Sequence, residues 1–409
     1  MRTFISFEEA RKIVLESGQT TGSETVPLNE AHGRVLYGVH DAQCDIPPFA
    51  SSAMDGYAVR AEDFENDNPS LRVVDHIAAG RVSDITLTSG TCSEIMTGAV
   101  IPEGADAVVP IEWVAERSEN VVSFTSAPKP GRHIRPAAED VRKGDRVFMG
   151  GEVVTPPIVG MLASIGVDPV LVSRRPEVAI ISTGDEIVDP ITLPGPGQIR
   201  NSNGPSLREQ VVSSGGACAA FHHAPDDESA IKRVVEGCAG SDLIIFSGGV
   251  SVGAHDHVKT VLEEMGAEML FWKVKQRPGK PLAFGKLKDS LFMGLPGNPV
   301  SSAMCFEIYA RPLIRKMLGI AQVSGPRLKA RLVRETKKVE GLHFFARGIA
   351  SQDEGGRLKV EDAGPQQSNL YGTVVRANCI IHLPQETRVA QAGTDVEIEL
   401  FEWAGISPA

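Results

Sequence analysis

The sequence predicts a multidomain α/β protein built around a doubly wound sheet, and three observations carry that prediction. At 409 residues, the chain is long enough for about two to four domains. Between residues 174 and 324, short apolar runs alternate with segments of helical period, the pattern of parallel βαβ units. Beyond residue 325 the period becomes two: in TDVEIELFEW, Val396, Ile398 and Leu400 alternate with Glu397 and Glu399, giving a small all-β domain over 325–409.

Taken in order, the chain opens with Ser6 and Glu9 at capping-box spacing and with Phe7, Ala10 and Val14 on one helical face, so residues 1–40 read as mainly helical. From 44 to 140 the character changes to Pro47-Pro48, many glycines and short β-branched runs at 107–111 and 121–125. The segment VVTPPIVGMLASIGV (153–167) returns to helix through Pro156 and Pro157, whose ring geometry suits a first turn. A helical segment resuming after a β-rich insert predicts a discontinuous first domain, 1–43 with 141–173, around an inserted β-rich domain, 44–140. The α/β domain, 174–324, then runs as strand and TGDE turn (176–187), helix (202–216), strand (218–224), helix (226–238) and buried strand (241–249). A helix follows with Val258, Val261, Leu262 and Met265 on one face, and 291–314 gives strand, Gly/Pro turn and a long apolar helix.

Composition removes several classes of function. Hydrophobic residues at 42% and charged residues at 23% exclude a disordered or membrane-like chain. A formal net charge of −11 argues against a nucleic-acid coat, which needs a basic surface. Six scattered cysteines without a C-x-x-C pair suit reduced thiols in a cytoplasm. Glu8 and Glu9 stand where a signal peptide would be apolar, and no apolar run reaches the ~18 residues of a membrane span, so cytoplasmic localisation is expected.

Three turns stand at strand ends, where open α/β sheets bind ligands: TGDE (183–186), SGGVSVG (247–253) and LPGNP (295–299). In the second, Ser247, Gly248, Gly249, Ser251 and Gly253 form either an oxyanion or phosphate cradle of backbone N–H groups, or a tight strand-to-helix turn without ligand. His255 and His257 point about 200° apart on a helix and do not share a metal. Asp256 between them is an N-cap, or a carboxylate that holds a divalent cation or accepts a proton. The stretch KVKQRPGKPLAFGKLK (273–288) holds Lys273, Lys275, Arg277, Lys280, Lys286 and Lys288 with no acid, either an anion patch or lysine-protected strand edges. Asp55, Asp140, Asp185, Glu186, Asp226 and Asp227 also stand at turns; singly they read as caps, and together with the basic stretch they fit Mg²⁺-assisted handling of a phosphate. No Ser/His/Asp elbow, P-loop or zinc motif is present.

The ordered motifs PPFASSAMDGYAVR (47–60), IMTGA (95–99), STGDE (182–186), SGGVSVG (247–253), RPGKPLAFGKL (277–287) and GLPGNPVS (294–301) resemble the MoeA family of molybdopterin molybdenumtransferases over essentially the whole chain. The resemblance implies insertion of molybdate into adenylylated molybdopterin, with Mg²⁺-dependent release of AMP. It implies a homodimer of four-part subunits ending in a β-barrel, with the cleft formed by the α/β domain of one subunit and the inserted domain of the other. Carried over by motif, the functional positions are Asp55, Thr97, Arg135 and Asp140 in the insert. In the α/β domain they are Glu186, Asp226, Asp256, Lys273, Arg277, Pro296 and Pro299, with Asn298 in the same turn, and Ser368 follows in the last domain. By charge, Glu186, Asp226 and Asp256 would hold Mg²⁺ or order pterin and ribose, and Lys273, Arg277 and Lys280 would bind molybdate or phosphate oxygens. The chain departs from its relatives at Arg277, often Lys, at Ala254, commonly an acid, and at residues 50–52, where an acid or Asn is usual; Arg supplies a fixed fork where Lys supplies a point charge. Rival implications are the adenylyltransferase that prepares the substrate, and a gephyrin-like scaffold. Expected partners are that adenylyltransferase and cofactor-accepting molybdoenzymes or their chaperones.

Overall fold

A computed structural model describes residues 2–64, 69–249, 257–403 and 407–408. The largest sheet is assembled from β1 (Arg2–Ile5), which leads into α1 (Phe7–Ser17), and then from the stretch beyond residue 176. That stretch supplies β2 (Glu177–Thr183), α2 (Asn203–Ser213), β3 (Ala217–Ala224), α3 (Glu228–Gly237), β4 (Leu243–Ser247) and α4 (His257–Glu264). It ends with β5 (Glu268–Val274), β6 (Ala283–Leu287), β7 (Ser290–Leu295) and α5 (Pro299–Cys305). The strand order is β1-β5-β6-β7-β4-β2-β3.

Both faces of this sheet are buried, and the strand pleat shows why. Val178 and Ile180 of β2, with Leu243 and Ile245 of β4, enter one core, while Ala179, Ile181, Ile244 and Phe246 enter the other. The first core is closed by Phe7, Ala10 and Val14 of α1 and by Leu207 and Val211 of α2. The second is closed by Ile231 and Val235 of α3 and by Val258, Val261 and Leu262 of α4. Helices on two faces of a mostly parallel sheet make the α/β unit doubly wound, as the alternation of periods predicts. One strand breaks the parallel rule. β6 is antiparallel to β5 and β7, because only Lys288 and Asp289 separate the paired residues Leu287 and Ser290. A two-residue turn can only reverse the chain, whereas a parallel crossover needs about a dozen residues.

Residues 1–40 are not mainly helical. Among them only Phe7–Ser17 forms an α-helix, capped by the Ser6 hydroxyl that accepts from the Glu9 N–H. Arg2–Ile5 instead pairs in parallel with β5 and packs with α1 on the large sheet, although the sequence groups both with the first domain. The rest of that domain comes from two distant segments. Ser23–Val26 pairs with Val170–Ser173, and His40–Asp41 with Arg146–Phe148, around Leu36, Val154, Leu162 and Ile165. The intervening unit is β-rich, a six-stranded sheet with Tyr57, Val109, Phe124 and Cys92 in one of its cores.

The C-terminal unit is a closed barrel. Arg327–Leu332, His343–Gln352, Leu358–Asp362, Cys379–Leu383 and Asp395–Leu400 form a ring, because His343–Gln352 pairs with both Leu358–Asp362 and Cys379–Leu383. His343 joins this barrel to α1: its ring stacks on Phe345 at 4.5 Å and lies 4.8 Å from Phe7. Burial pushes the imidazole down to about 3. An unfolded chain takes up that proton near 6.5 and the folded one does not, so the unfolded state gains as pH falls below 6.5. Between pH 7 and pH 5 this ring therefore accounts for a loss of about 2 kcal/mol of stability. Chemical denaturation at the two pH values should show a smaller acid loss in His343→Phe than in the wild type, by about that amount; equal losses would mean the ring is not held neutral.

Candidate active site

The strand order places β2 between β3 and β4, and the order of connection reverses there, with β3 added on one side and β4 on the other, where the carboxyl ends leave a crevice. Register aligns the ends: Thr183 lies beside Ala224, Ser182 beside Ser247, and Ser247 beside Leu295. The three turns identified from sequence consequently meet around one cavity of about 480 Å³. Glu186, Asp226, Ser247, Gly248, Gly249, Asn298 and Pro299 all line it.

Glycine has a geometric role at two positions. At Gly184 (φ 137°) a methyl group would overlap the Glu186 carboxylate, so the bare backbone leaves that carboxylate its seat. At Gly248 (φ 98°) a methyl would meet both the carbonyl and the hydroxyl oxygen of Thr183 at 3.0 Å. The Gly248 N–H, however, is not free for a ligand. It donates to the Leu295 carbonyl at 3.1 Å, which ties this turn to the end of β7.

Residues that sequence reasoning did not single out complete the wall. Asn203, at the start of α2, donates through Nδ2 to Ser247 Oγ (2.9 Å) and to the Gly297 carbonyl (2.8 Å), pinning two turns to one helix. Ser247 Oγ thereby accepts one bond and keeps its own proton to donate. Asn201 Oδ1 accepts from the Gly204 N–H at 2.9 Å, and the buried Thr183 Oγ1 has no hydrogen-bond partner among the described residues. Asp185 accepts from the Asp226 N–H at 3.1 Å, which sets Asp226 at the rim. The signal for Asn203 was visible as Asn-Ser-Asn before a helix, but the elements it bridges are distant in sequence.

Other predicted residues stand elsewhere. Lys273, Arg277 and Lys280 lie on the hairpin between β5 and β6, whose ends join where Val274 N–H meets the Lys280 carbonyl. Because β5 runs parallel to β2 and β4, this hairpin lies at the same carboxyl edge, yet none of the three lines the cavity. Each rests on an aromatic ring: Lys273 on Trp272 (4.5 Å), Arg277 on Phe344 (5.7 Å) and Lys280 on Phe4 (5.2 Å). Lys286 and Lys288 sit at the opposite edge, so the basic stretch is two groups and not one patch. Pro296 is buried behind the turn. Ser368 is half-buried in a barrel loop whose Tyr371 hydroxyl lies 2.8 Å from Ser206 of α2. His257 Nδ1 is 3.1 Å from Glu228 Oε1, consistent with a hydrogen-bonding role. Ser251, Gly253, Ala254, His255 and Asp256 lie outside the described residues.

Asp55, Thr97, Arg135 and Asp140 are all exposed on the inserted unit. Asp55 Oδ1 accepts from both the N–H (2.7 Å) and the hydroxyl (2.8 Å) of Thr97. These two bonds hold the Asp55 carboxyl below its ordinary range, with the backbone donor contributing most. Thr97→Val removes one donor and should raise the Asp55 titration midpoint in a carboxyl NMR titration while the backbone bond keeps part of the shift; an unmoved midpoint would show that the hydroxyl contributes nothing.

Three family profiles match in order: the MoeA N-terminal region (domains I and II) over 5–166, a probable molybdopterin binding domain over 179–316, and the MoeA C-terminal region (domain IV) over 329–401. The chain is 37% identical to a molybdopterin molybdenumtransferase of Haemophilus influenzae, covering 97% of this chain and 98% of that one. It is 36% identical to molybdopterin molybdenumtransferase 2 of Mycobacterium tuberculosis, covering 96% and 98%. The crystal structure of a molybdopterin biosynthesis moeA protein from Pyrococcus horikoshii OT3 superposes with a TM-score of 0.83 at 29% identity, covering 97% of this chain and all of that one. Matched end to end by these profiles and relatives, in both sequence and fold, the chain belongs to the MoeA family.

Proposed function

We propose that this protein is a molybdopterin molybdenumtransferase that inserts molybdate into adenylylated molybdopterin and releases AMP in a Mg²⁺-dependent step. The observation that carries the proposal is the cavity at the β2 switch point, where Glu186 and Asp226 face a wall made of glycine backbone and hydroxyl groups. Relatives of similar length bearing that name support the choice of substrate.

The donor set fits a Mg²⁺ ion. Among the described residues no group of three or more His, Cys, Asp or Glu converges, but two carboxylates border the cavity. Mg²⁺ characteristically takes one or two carboxylates and fills its shell with water and substrate phosphate oxygens. Bound there by Glu186 and Asp226, with Asp256 as the further candidate, it would neutralise charge on the phosphoanhydride oxygens.

The chain's own groups then have separable tasks. Gly184 leaves room for the Glu186 carboxylate, and the Asp185 carboxylate fixes Asp226 through its backbone. Asn203 orients Ser247 so that its hydroxyl can donate to a substrate oxygen, and the Thr183 hydroxyl, without a partner among the described residues, offers a second such group. Lys273, Arg277 and Lys280 at the same edge draw two mutually repelling anions, molybdate and the nucleotide, toward one place. Water attacks the AMP phosphorus, the phosphoanhydride bond breaks, and molybdopterin departs with its own phosphate as the leaving group, so that the attacking oxygen is retained in the AMP released; if a molybdate oxygen attacks instead, adenylyl molybdate forms and its hydrolysis by water yields AMP and returns molybdate. We further propose a cytoplasmic homodimer, in which Asp55, Thr97, Arg135 and Asp140 of one inserted unit face the cavity of the other subunit. An adenylyltransferase supplying the substrate and molybdoenzymes or their chaperones accepting the product are the expected partners.

AMP release from adenylylated molybdopterin, followed with and without molybdate and Mg²⁺, should require both; release indifferent to molybdate would overturn the proposal. Asp226→Ala and Asp55→Ala should each lower that rate by roughly 10²-fold. The Asp226 side chain is exposed, so the unfolding free energy of Asp226→Ala should stay within about 0.5 kcal/mol of the wild type. A parallel loss of stability and rate in Asp226→Ala would reassign that carboxylate to a structural role.

A further inference from the structure

The C-terminal barrel carries a second cavity, of about 660 Å³, on its outer face. Lys329, Arg331, Arg357 and Lys359 line it together with Asp353 and Asp395. In a chain of formal charge −11, four cations in one concavity need an explanation.

Strand register supplies the first part of the argument. Arg331 lies directly opposite Lys359 in the parallel pairing of Arg327–Leu332 with Leu358–Asp362. Their neighbours Leu332 and Val360 are both buried, so Arg331 and Lys359 point outward together. Like charges placed directly across a strand pair destabilise it. Lys329 adds a third cation two residues along the same outward face, and Arg357 a fourth just before the second strand.

The acids nearby do not neutralise them. Glu397, which lies opposite Lys329, pairs with Arg327 at 2.9 Å. Asp353 Oδ1 accepts from the N–H groups of Gly355 and Arg357, both at 2.9 Å, and is engaged in holding the turn. Asp395 lies opposite Arg331, yet among the described residues none of the four cations has a carboxylate oxygen within 4.0 Å. Edge protection does not account for the lysines either: both strands have a neighbour on each side in the closed barrel, and a closed barrel has no edges to protect.

From this register and charge count we infer a second anion site on the barrel that takes a small, multiply charged phosphate compound of the pyrophosphate type. Two guanidinium forks match phosphate oxygens bidentately, and two ammonium groups add charge without fixed geometry. A cavity of this size admits a small molecule. The site is separate from the cavity at the β2 switch point, and the inference does not depend on the reaction proposed there.

Inorganic pyrophosphate titrated calorimetrically into the full-length protein tests it. The wild type should bind with a dissociation constant below about 1 mM, and Arg331→Ala/Lys359→Ala should weaken that step by about tenfold or more. Lys359→Glu relieves the like-charge pair, so its unfolding midpoint should rise in the absence of anion and respond less to pyrophosphate than that of the wild type. Any binding step unchanged in both variants belongs to the other cavity. Identical isotherms for wild type and double variant would overturn the inference, as would an unchanged Lys359→Glu midpoint or binding of polyglutamate in place of pyrophosphate.

Discussion

The parallel register of β2 against β3 and β4 is the constraint on which the site depends. It brings Thr183, Ala224, Ser247 and Leu295 to one level, so that every turn leaving those strands starts at the same edge. A slip of one residue would exchange the two cores, sending Val178 and Ile180 to the face now filled by Ala179 and Ile181. Such a slip would also move the TGDE turn away from the glycine turn. The cost of packing each face wrongly thus protects the positions of polar groups that contribute little to stability themselves.

A second buried interaction extends that edge to the barrel. Arg347 has no exposed surface, and its guanidinium donates to the Thr373 hydroxyl at 3.0 Å and to the carbonyls of Pro365 and Gln367, both at 3.2 Å. Burial lowers its pKa to about 10, leaving it charged at neutral pH. Desolvating a cation is tolerable only when its donors are satisfied, and here the loop from 363 to 376 folds around it to do so. The loop that carries Ser368 is thereby shaped, and its Tyr371 is held against Ser206 of α2.

Charge is sorted by chain reversal. The stretch from Lys273 to Lys288 is continuous in sequence, but β6 runs back along the sheet, so its two ends emerge at opposite edges. On the barrel the opposite happens: Lys329 and Arg331 are 28 residues from Arg357 and Lys359 respectively, and parallel pairing collects them. Neither grouping follows from counting charges along the chain.

The sequence by itself determined the kinds of element and the local chemistry. Short apolar runs specify β2 and β4, helical periods specify α3 and α4, and a period of two specifies the barrel strand Asp395–Leu400, because burial on one or two faces dictates which residues are apolar. The TGDE, SGGVSVG and LPGNP turns were legible because glycine and proline encode backbone conformation locally, and Glu186, Asp226, Ser247 and Asn298 do line one cavity. Tertiary structure decided what is non-local. It set the edge position of β1, the clamp of Asn203 on Ser247 and Gly297, and the loss of the Gly248 N–H to Leu295. Each of these is a hydrogen bond between segments far apart in sequence, whose partners become neighbours only after the hydrophobic cores have fixed the register.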